Sequence, residues 1–376
     1  MLEEPTFTFG IEEEYHLVDV ATRDLAPAPT ALMEALSAEL GHRVSPEFLR
    51  SQIEIGTSVS RSFRQTRDEL AHLRSAISRQ SATFGLAPIA AGTHPFGRWE
   101  NVQTTPKERY LELERDLAAV GQRLVISGMH VHVGIEDPEL RIDIMNQVRY
   151  FLPHLLMLST SSPFWQGRDT GLKSFRLALS HSSPRTGLPG RFNGWDEYRR
   201  TIDILVAAGV MEDASKIWWD LRPSARFPTL EMRITDVATR IDDALSIAAL
   251  YVCLCRMLYR IRRSNQTWRT YPVFLLEENR WRAQRYGVEG SLFDFGRGEL
   301  VPYTALLEEI LVIIAEDAAA LDCVAEVAHA RTIAREGTSA DRQIAVYNSA
   351  VSQGRSTEAA LADVVDHLVA ETIEGL

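Results

Sequence analysis

The sequence predicts an α+β fold, and two observations carry that prediction. Strand-like alternation of apolar and polar residues is concentrated in residues 1–240, whereas residues 241–376 read as successive long helices with apolar faces. No solenoid-period repeat and no low-complexity linker interrupts the chain, so residues 1–376 read as one domain, strand-rich and then helix-rich.

The first strand is expected at 6–18, where Phe7, Phe9 and Ile11 alternate with Thr6, Thr8 and Gly10. A helix follows at 30–40, then a strand at 49–58 in which Ile53 and Ile55 alternate with Gln52 and Glu54. Residues 64–84 have helical spacing, with Leu70, Leu73 and Ile77 on one face. A short apolar strand at 86–91, a helix at 106–117, an alternating strand at 123–136 and a helix at 142–159 come next. Residues 161–198 mix Pro and Gly with Trp, Arg and Ser and read as a long loop, a type of segment that usually carries function. Strands return at 218–221 and 230–236, and helices at 242–263, 276–286, 303–333, 340–352 and 357–372 complete the chain.

Composition narrows the chemistry. The 376 residues hold 40 Lys+Arg against 51 Asp+Glu, a formal charge of −11. Such a chain has no general attraction for nucleic acid or an anionic bilayer, so any phosphate must be held by a local device. Three cysteines, Cys253, Cys255 and Cys323, cannot form a disulfide framework and read as reduced, buried thiols. Residues 244–261 are apolar enough to resemble a membrane span, but Ser246 and Arg256 interrupt them and a buried helix is expected. The start of the chain lacks the basic and apolar runs of a signal peptide. A cytoplasmic protein with no membrane or nucleic-acid partner is the expectation.

Side chains on a strand alternate faces, so each strand can be divided into two sets. In FGIEEEY, Glu12 and Glu14 lie opposite Phe9 and Ile11; in RSQIEI, Gln52 and Glu54 lie opposite Ile53 and Ile55. In SGMHVHVGI, His130 and His132 oppose Met129, Val131 and Val133, and in TLEMRITD, Glu231, Arg233 and Thr235 oppose Leu230, Met232 and Ile234. The plain alternative is a sheet with one solvated face. Lysine is absent from these faces, however, and Glu12 beside Glu14 repel each other unless a cation lies between them. Glutamate and histidine without cysteine suit Mg²⁺ or Mn²⁺ better than zinc.

Phosphate signatures are missing. GRDTGLKS at 167–174 fails as a Walker loop because Leu172 separates glycine from Lys173, and Gly296 and Gly298 lack the third glycine of a dinucleotide fingerprint. A nucleotide would have to be held by carboxylate-bound metal together with arginines such as Arg222 and Arg233. Arg168, Arg176 and Arg185, in the long loop, are the candidates for an acid substrate, because guanidinium forks recognise carboxylates. His94, in GTHPF, reads as a turn residue, and His16 is left without a role.

The segments FGIEEEYHLVD, SGMHVHVGI, SSPFWQGRDTGLKSFR, WWDLRPS and PTLEMRITD resemble, in order and spacing, those of the YbdK-like carboxylate–amine ligases, the glutamate–cysteine ligase type 2 family. The resemblance implies a glutamine synthetase-like catalytic core, a curved antiparallel sheet forming a funnel backed by helices. It implies ATP and Mg²⁺ (Mn²⁺ as a substitute), with Glu12, Glu14, Glu47, Glu54, His130 and Glu231 as metal ligands. It places Arg233 near the transferring phosphate and, with Glu231, in the catalytic machinery. The implied reaction joins a glutamate-like acid to an amine or cysteine through an acyl phosphate, in a homodimer. The rival expectations are a metal-dependent hydrolase using the same Glu/His cluster, and a nucleotide-binding protein without turnover.

Overall fold

The computed structural model describes residues 3–376. Its centre is a seven-stranded, wholly antiparallel sheet. The strands are β1 (Phe9–Asp19), β2 (Val44–Pro46), β3 (Gln52–Gly56), β4 (Leu86–Ile89), β5 (Met129–Gly134), β6 (Leu221–Pro223) and β7 (Thr229–Met232). Their order is β6-β7-β5-β1-β3-β2, with β4 paired to the far end of β1. At 11 residues β1 is long enough to serve three neighbours in turn: β5 along Phe9–Glu13, β3 along Glu12–His16 and β4 along His16–Asp19.

Alternation along β1 explains which way the sheet faces. Phe9, Ile11, Tyr15 and Leu17 are buried against the helices, and Glu12 and Glu14 project from the opposite face. Helix Ile241–Arg263 runs beneath the sheet, where Tyr251 Oη donates to the Leu230 carbonyl of β7 at 3.2 Å. It is the one described helix long and apolar enough to cross a membrane, and 83% of that window is buried inside the fold. Helix Phe63–Ala82 packs on the same helix and on β4, while helices Ser339–Ser352 and Thr357–Thr372 pair with each other and close over Val18 and Ile89.

The apolar face hides one charge that alternation alone does not reveal. Glu13 is fully buried among the helices and takes a bidentate pair from Arg74 at 2.6 and 3.0 Å. Arg74 also donates to the carbonyls of Thr239 and Ala238 at 2.6 and 2.9 Å, and the Tyr15 hydroxyl donates to Glu13. The pair ties β1 and helix Phe63–Ala82 to the segment preceding Ile241; breaking a buried pair of this kind costs about 3–5 kcal/mol.

Several expected elements are subdivided. Only Met129–Gly134 of the expected 123–136 strand joins the ladder, because Ile126 and Gly128 make isolated bridges to Thr93 and Asp236 instead. The helix expected at 142–159 becomes Pro138–Val148 and Leu152–Ser159, joined by a tight turn at Arg149–Phe151, and Pro153 falls in the first turn of the second, where no N–H is needed. The 303–333 helix breaks at Ile314 and again at Leu321–Cys323 into Tyr303–Ile313, Ala315–Ala320 and Val324–Glu336. The loop at 161–198 is built around Asp236, which accepts from Ser161 N at 2.9 Å, Ser162 Oγ at 2.7 Å and Ser174 Oγ at 2.8 Å.

Candidate active site

Register brings the polar residues of five strands onto one patch. Glu12 pairs with His130, Glu14 with Glu54, His132 with Glu231, and Glu231 with Arg222, so each strand places its residue beside the next. A chamber of about 390 Å³ lies over this face, lined by Glu12, Glu14, Glu47, Glu54, His130, His132, Arg222, Glu231 and Arg233. All six expected metal ligands therefore meet in one cavity. Glu47 joins from the loop after β2, beyond the reach of strand alternation.

One half of the patch is densely paired. Glu12 lies 3.3 Å from His130 Nδ1 and 3.4 Å from His132 Nε2, and His132 Nε2 lies 3.9 Å from Glu231. Glu12, His132 and Glu231 each offer an atom within 4.8 Å of the others, a spacing one cation can span. His132, whose role the sequence leaves open, thus lies within this group. Arg222 forks onto Glu231 at 2.8 and 3.2 Å, and Arg233 donates to the same carboxylate. Burial pushes the Glu231 carboxyl up, but the charges of Arg233, Arg222 and His132 outweigh it and hold it well below the usual range. Burial pushes the His132 imidazole down, and its hydrogen bond to Glu12 and the charge of Glu231 reverse the shift, leaving it raised. Burial and the charge of Arg233 lower His130.

The other half is carboxylate-crowded. Glu14 accepts from Gly128 N at 2.7 Å, and Glu54 from Ser45 Oγ at 3.1 Å. Desolvation and the charge of Glu14 push Glu47 up to about 7, and desolvation with the charges of Glu47, Glu12 and Glu14 pushes Glu54 well above its ordinary value. Three carboxylates with so few donors fit a divalent cation, whose charge would remove the repulsion. Glu14, Glu47 and Glu54 line the chamber beside Glu12, His132 and Glu231, the one group among the described residues whose ligand atoms all lie within 4.8 Å of one another.

The arginines divide differently from expectation. Arg168 is exposed on a two-residue ladder, Phe164–Trp165 against Arg168–Asp169, and does not line the chamber. Arg185 stacks on Trp218 at 5.3 Å and donates to the Lys216 carbonyl, outside the chamber wall. Arg176 does not line the chamber either; it lines an adjoining cavity and bonds the carbonyls of Ile234 and Arg233 at 3.3 and 3.2 Å, with Asp236 at 3.8 Å. It lies so close to Gly128 that a Cβ there would fall 2.2 Å from its Nη2, which accounts for glycine in SGMHVHVGI. Arg222 has no free fork for a nucleotide: besides Glu231 it serves the carbonyls of Ser215 and Ile217. In their place Lys107, Arg109, Lys216 and Arg226 line the chamber. They come from turns and a helix start, where no alternation marks them. His94 is the expected turn residue, its Nδ1 accepting from Phe96 N and Gly97 N at 3.2 and 2.6 Å. His16 is fully buried, and desolvation takes it down to about 3.

Comparison with known proteins gives the family and the fold. The profile of glutamate–cysteine ligase family 2 matches residues 8–367. A protein named "Putative glutamate--cysteine ligase 2" from Rhodospirillum rubrum is 58% identical over all of this chain and 98% of its own, and one of the same name from Jannaschia sp. is 55% identical over 96% of each. Among solved structures, a glutamate–cysteine ligase from Francisella tularensis in complex with AMP superposes with a TM-score of 0.70 at 11% identity, covering 99% of this chain and 90% of that one. A bifunctional glutathione synthetase from Pasteurella multocida gives 0.70 at 15% identity, over 98% of this chain and 53% of that one. The fold is that of the glutamine synthetase-like ligases, and the chain belongs to glutamate–cysteine ligase family 2, as a carbon–nitrogen ligase.

Proposed function

We propose that this protein is an ATP-dependent carboxylate–amine ligase acting on a glutamate-like acid, and that it works through an acyl phosphate. The observation that carries the reading is one chamber lined by five carboxylates, two imidazoles and six cationic side chains, with Arg233 paired to Glu231. A carboxylate resists attack by an amine until one of its oxygens becomes a leaving group. In the proposed reaction that oxygen attacks the terminal phosphorus of ATP, ADP departs, and the amine then attacks the acyl carbon. The C–N bond forms, the C–O bond to phosphate breaks, and the amine proton is released. Mg²⁺, when bound, would supply neutralisation of the phosphate charges.

The chain's own residues position and shield these groups. Arg222 and Arg233 fix the Glu231 carboxylate, His130 and His132 fix Glu12, and Gly128 N fixes Glu14, so the ligand atoms are held before any ion arrives. Lys107, Arg109, Lys216 and Arg226 supply the charge that an anionic acid and phosphates need. A metal-dependent hydrolase would need no nucleotide, and membership of a ligase family speaks against it. The test is ADP release over a matrix of acids and amines, with mass detection of the amide. Amide formed in step with ADP supports the reading; ADP release unaffected by every acid–amine mixture contradicts it.

A further inference from the structure

Helix Glu108–Leu117 stands between three spaces: the chamber, an inner cavity of about 150 Å³ beside it, and an outer cleft of about 620 Å³. Leu113 and Trp218 line all three, and Leu117 lines the inner cavity and the outer cleft. Lys107, Arg109 and Tyr110, at the start of the helix, line the chamber. This partition is weakly held. Leu117 is the one buried residue of the helix, and its main packing partner is the four-residue helix Ala119–Gln122. A segment with so few buried contacts belongs to the low-stability end of a fold. Its tethers lie at its start and all reach one short stretch. Tyr110 Oη donates to the Pro46 carbonyl at 3.0 Å, Thr105 Oγ1 to that of Glu47 at 2.6 Å, and Thr105 N to that of Phe48 at 2.8 Å. At the other end, where the two helices join, Ala118 has φ 47° and ψ −131°, a backbone conformation that costs any residue with a Cβ. Arg109 is exposed and makes no ion pair among the described residues, although its charge reaches Glu47.

We propose that helix Glu108–Leu117 is a hinged gate, turning about Ala118, that carries Arg109 onto the phosphates of the bound nucleotide; the inference rests on the ligase reading above. Turned inward, the helix gives its unpaired guanidinium an anionic partner, and Leu113 and Leu117 stand between the acyl phosphate and the outer cleft. That shielding matters because an acyl phosphate reacts with water as well as with an amine. Turned outward, the helix joins the chamber and the inner cavity to the outer cleft, so substrates enter and products leave. The strain at Ala118 favours the outward turn once the phosphates have gone. The tethers to Pro46–Phe48 make Glu47 and the start of the helix move together, so the gate follows what the chamber holds.

The experiment follows amide hydrogen exchange across the full chain, with and without Mg²⁺ and a slowly hydrolysed ATP analogue. Binding should slow exchange over residues 105–122 at least about tenfold, the worth of a charge-assisted bond to phosphate. Arg109→Ala should remove most of that protection and raise KM for Mg·ATP at least about tenfold, with a smaller change in kcat, and Arg109→Lys should restore part of both. Ala118→Gly relieves the hinge and should slow exchange of the unliganded segment about fivefold. Ala118→Pro, with φ locked near about −65°, should speed it instead. Exchange of β1 and β5 in the same samples shows that the sheet is intact; if the proline variant does not fold, the glycine and Arg109 variants decide. Exchange over 105–122 that ignores the nucleotide analogue and is the same in Ala118→Gly as in wild type overturns the gate, and amide formed in step with ADP then leaves the ligase reading standing. Protection that Arg109→Ala abolishes, with no ADP release from any acid–amine mixture, upholds the gate and overturns the ligase reading.

Discussion

Glu231 sits between two guanidinium groups and beside an imidazole, whereas Glu47 and Glu54 face Glu14 and each other with a serine hydroxyl as their nearest side-chain donor. In the first arrangement neighbouring cations already answer the carboxylate's charge. In the second they do not, and desolvated like charges can be relieved only by taking up protons or a cation. One sheet face thus holds a prebuilt, internally neutral half and a half whose ionisation depends on what it binds. The difference teaches where metal dependence should be sought: in Glu14, Glu47 and Glu54 more than in the better-paired Glu231.

The largest effects should come from the paired half. Arg233→Ala should lower Mg·ATP-dependent turnover by about 10³-fold or more, as expected for an arginine that meets a transferring phosphoryl group, and Glu12→Gln should also damage turnover more than affinity for the acid. Steady-state kinetics check both, and near-normal turnover in both would remove the site assignment. Stability should then separate the halves by sign. Glu231→Ala strands Arg222 and Arg233 and should cost about 3–5 kcal/mol in denaturant unfolding. Glu54→Gln should instead stabilise the metal-free protein by about 1 kcal/mol and blunt its response to Mg²⁺.

The pH dependence follows from the same crowding. With Glu47 raised from 4.5 to about 7, the folded metal-free protein holds more protons than the unfolded chain between those values. Its stability should therefore fall as pH rises through that window, by on the order of 3 kcal/mol for this group. Saturating Mg²⁺ should flatten the slope, and proton release on Mg²⁺ binding at pH 7 should accompany it. Thermal melts at several pH values, with and without Mg²⁺, check this. The smallest effect belongs to Arg168→Ala: exposed and away from the chamber, it should change stability by less than about 0.5 kcal/mol and leave kcat/KM unchanged.

Much of this site was legible in the sequence because strands advertise their faces. Glu12, Glu14, Glu54, His130, His132, Glu231 and Arg233 all follow from alternation against buried Ile, Val and Met. Alternation also misleads once: Glu13 lies on the apolar face, and only a partner 61 residues away, Arg74, makes that tolerable. Residues outside strands carried no such signal. Lys107, Arg109 and Lys216 read as isolated surface charges until the fold turned them inward, and the loop arginines Arg168, Arg176 and Arg185 read as free forks when their partners were backbone carbonyls or solvent. The helix boundaries at 149–151 and 314 likewise depend on how helices turn to pack, which periodicity alone does not encode.

The central claim, that an acid is activated as its acyl phosphate in this chamber, is tested most directly by following one oxygen atom. An acid substrate labelled with ¹⁸O in its carboxylate is incubated with Mg·ATP and a productive amine, and the released phosphate is analysed by mass. Transfer of one labelled oxygen to each phosphate, in step with amide formed, is the predicted result. Amide or ADP appearing with unlabelled phosphate would contradict it.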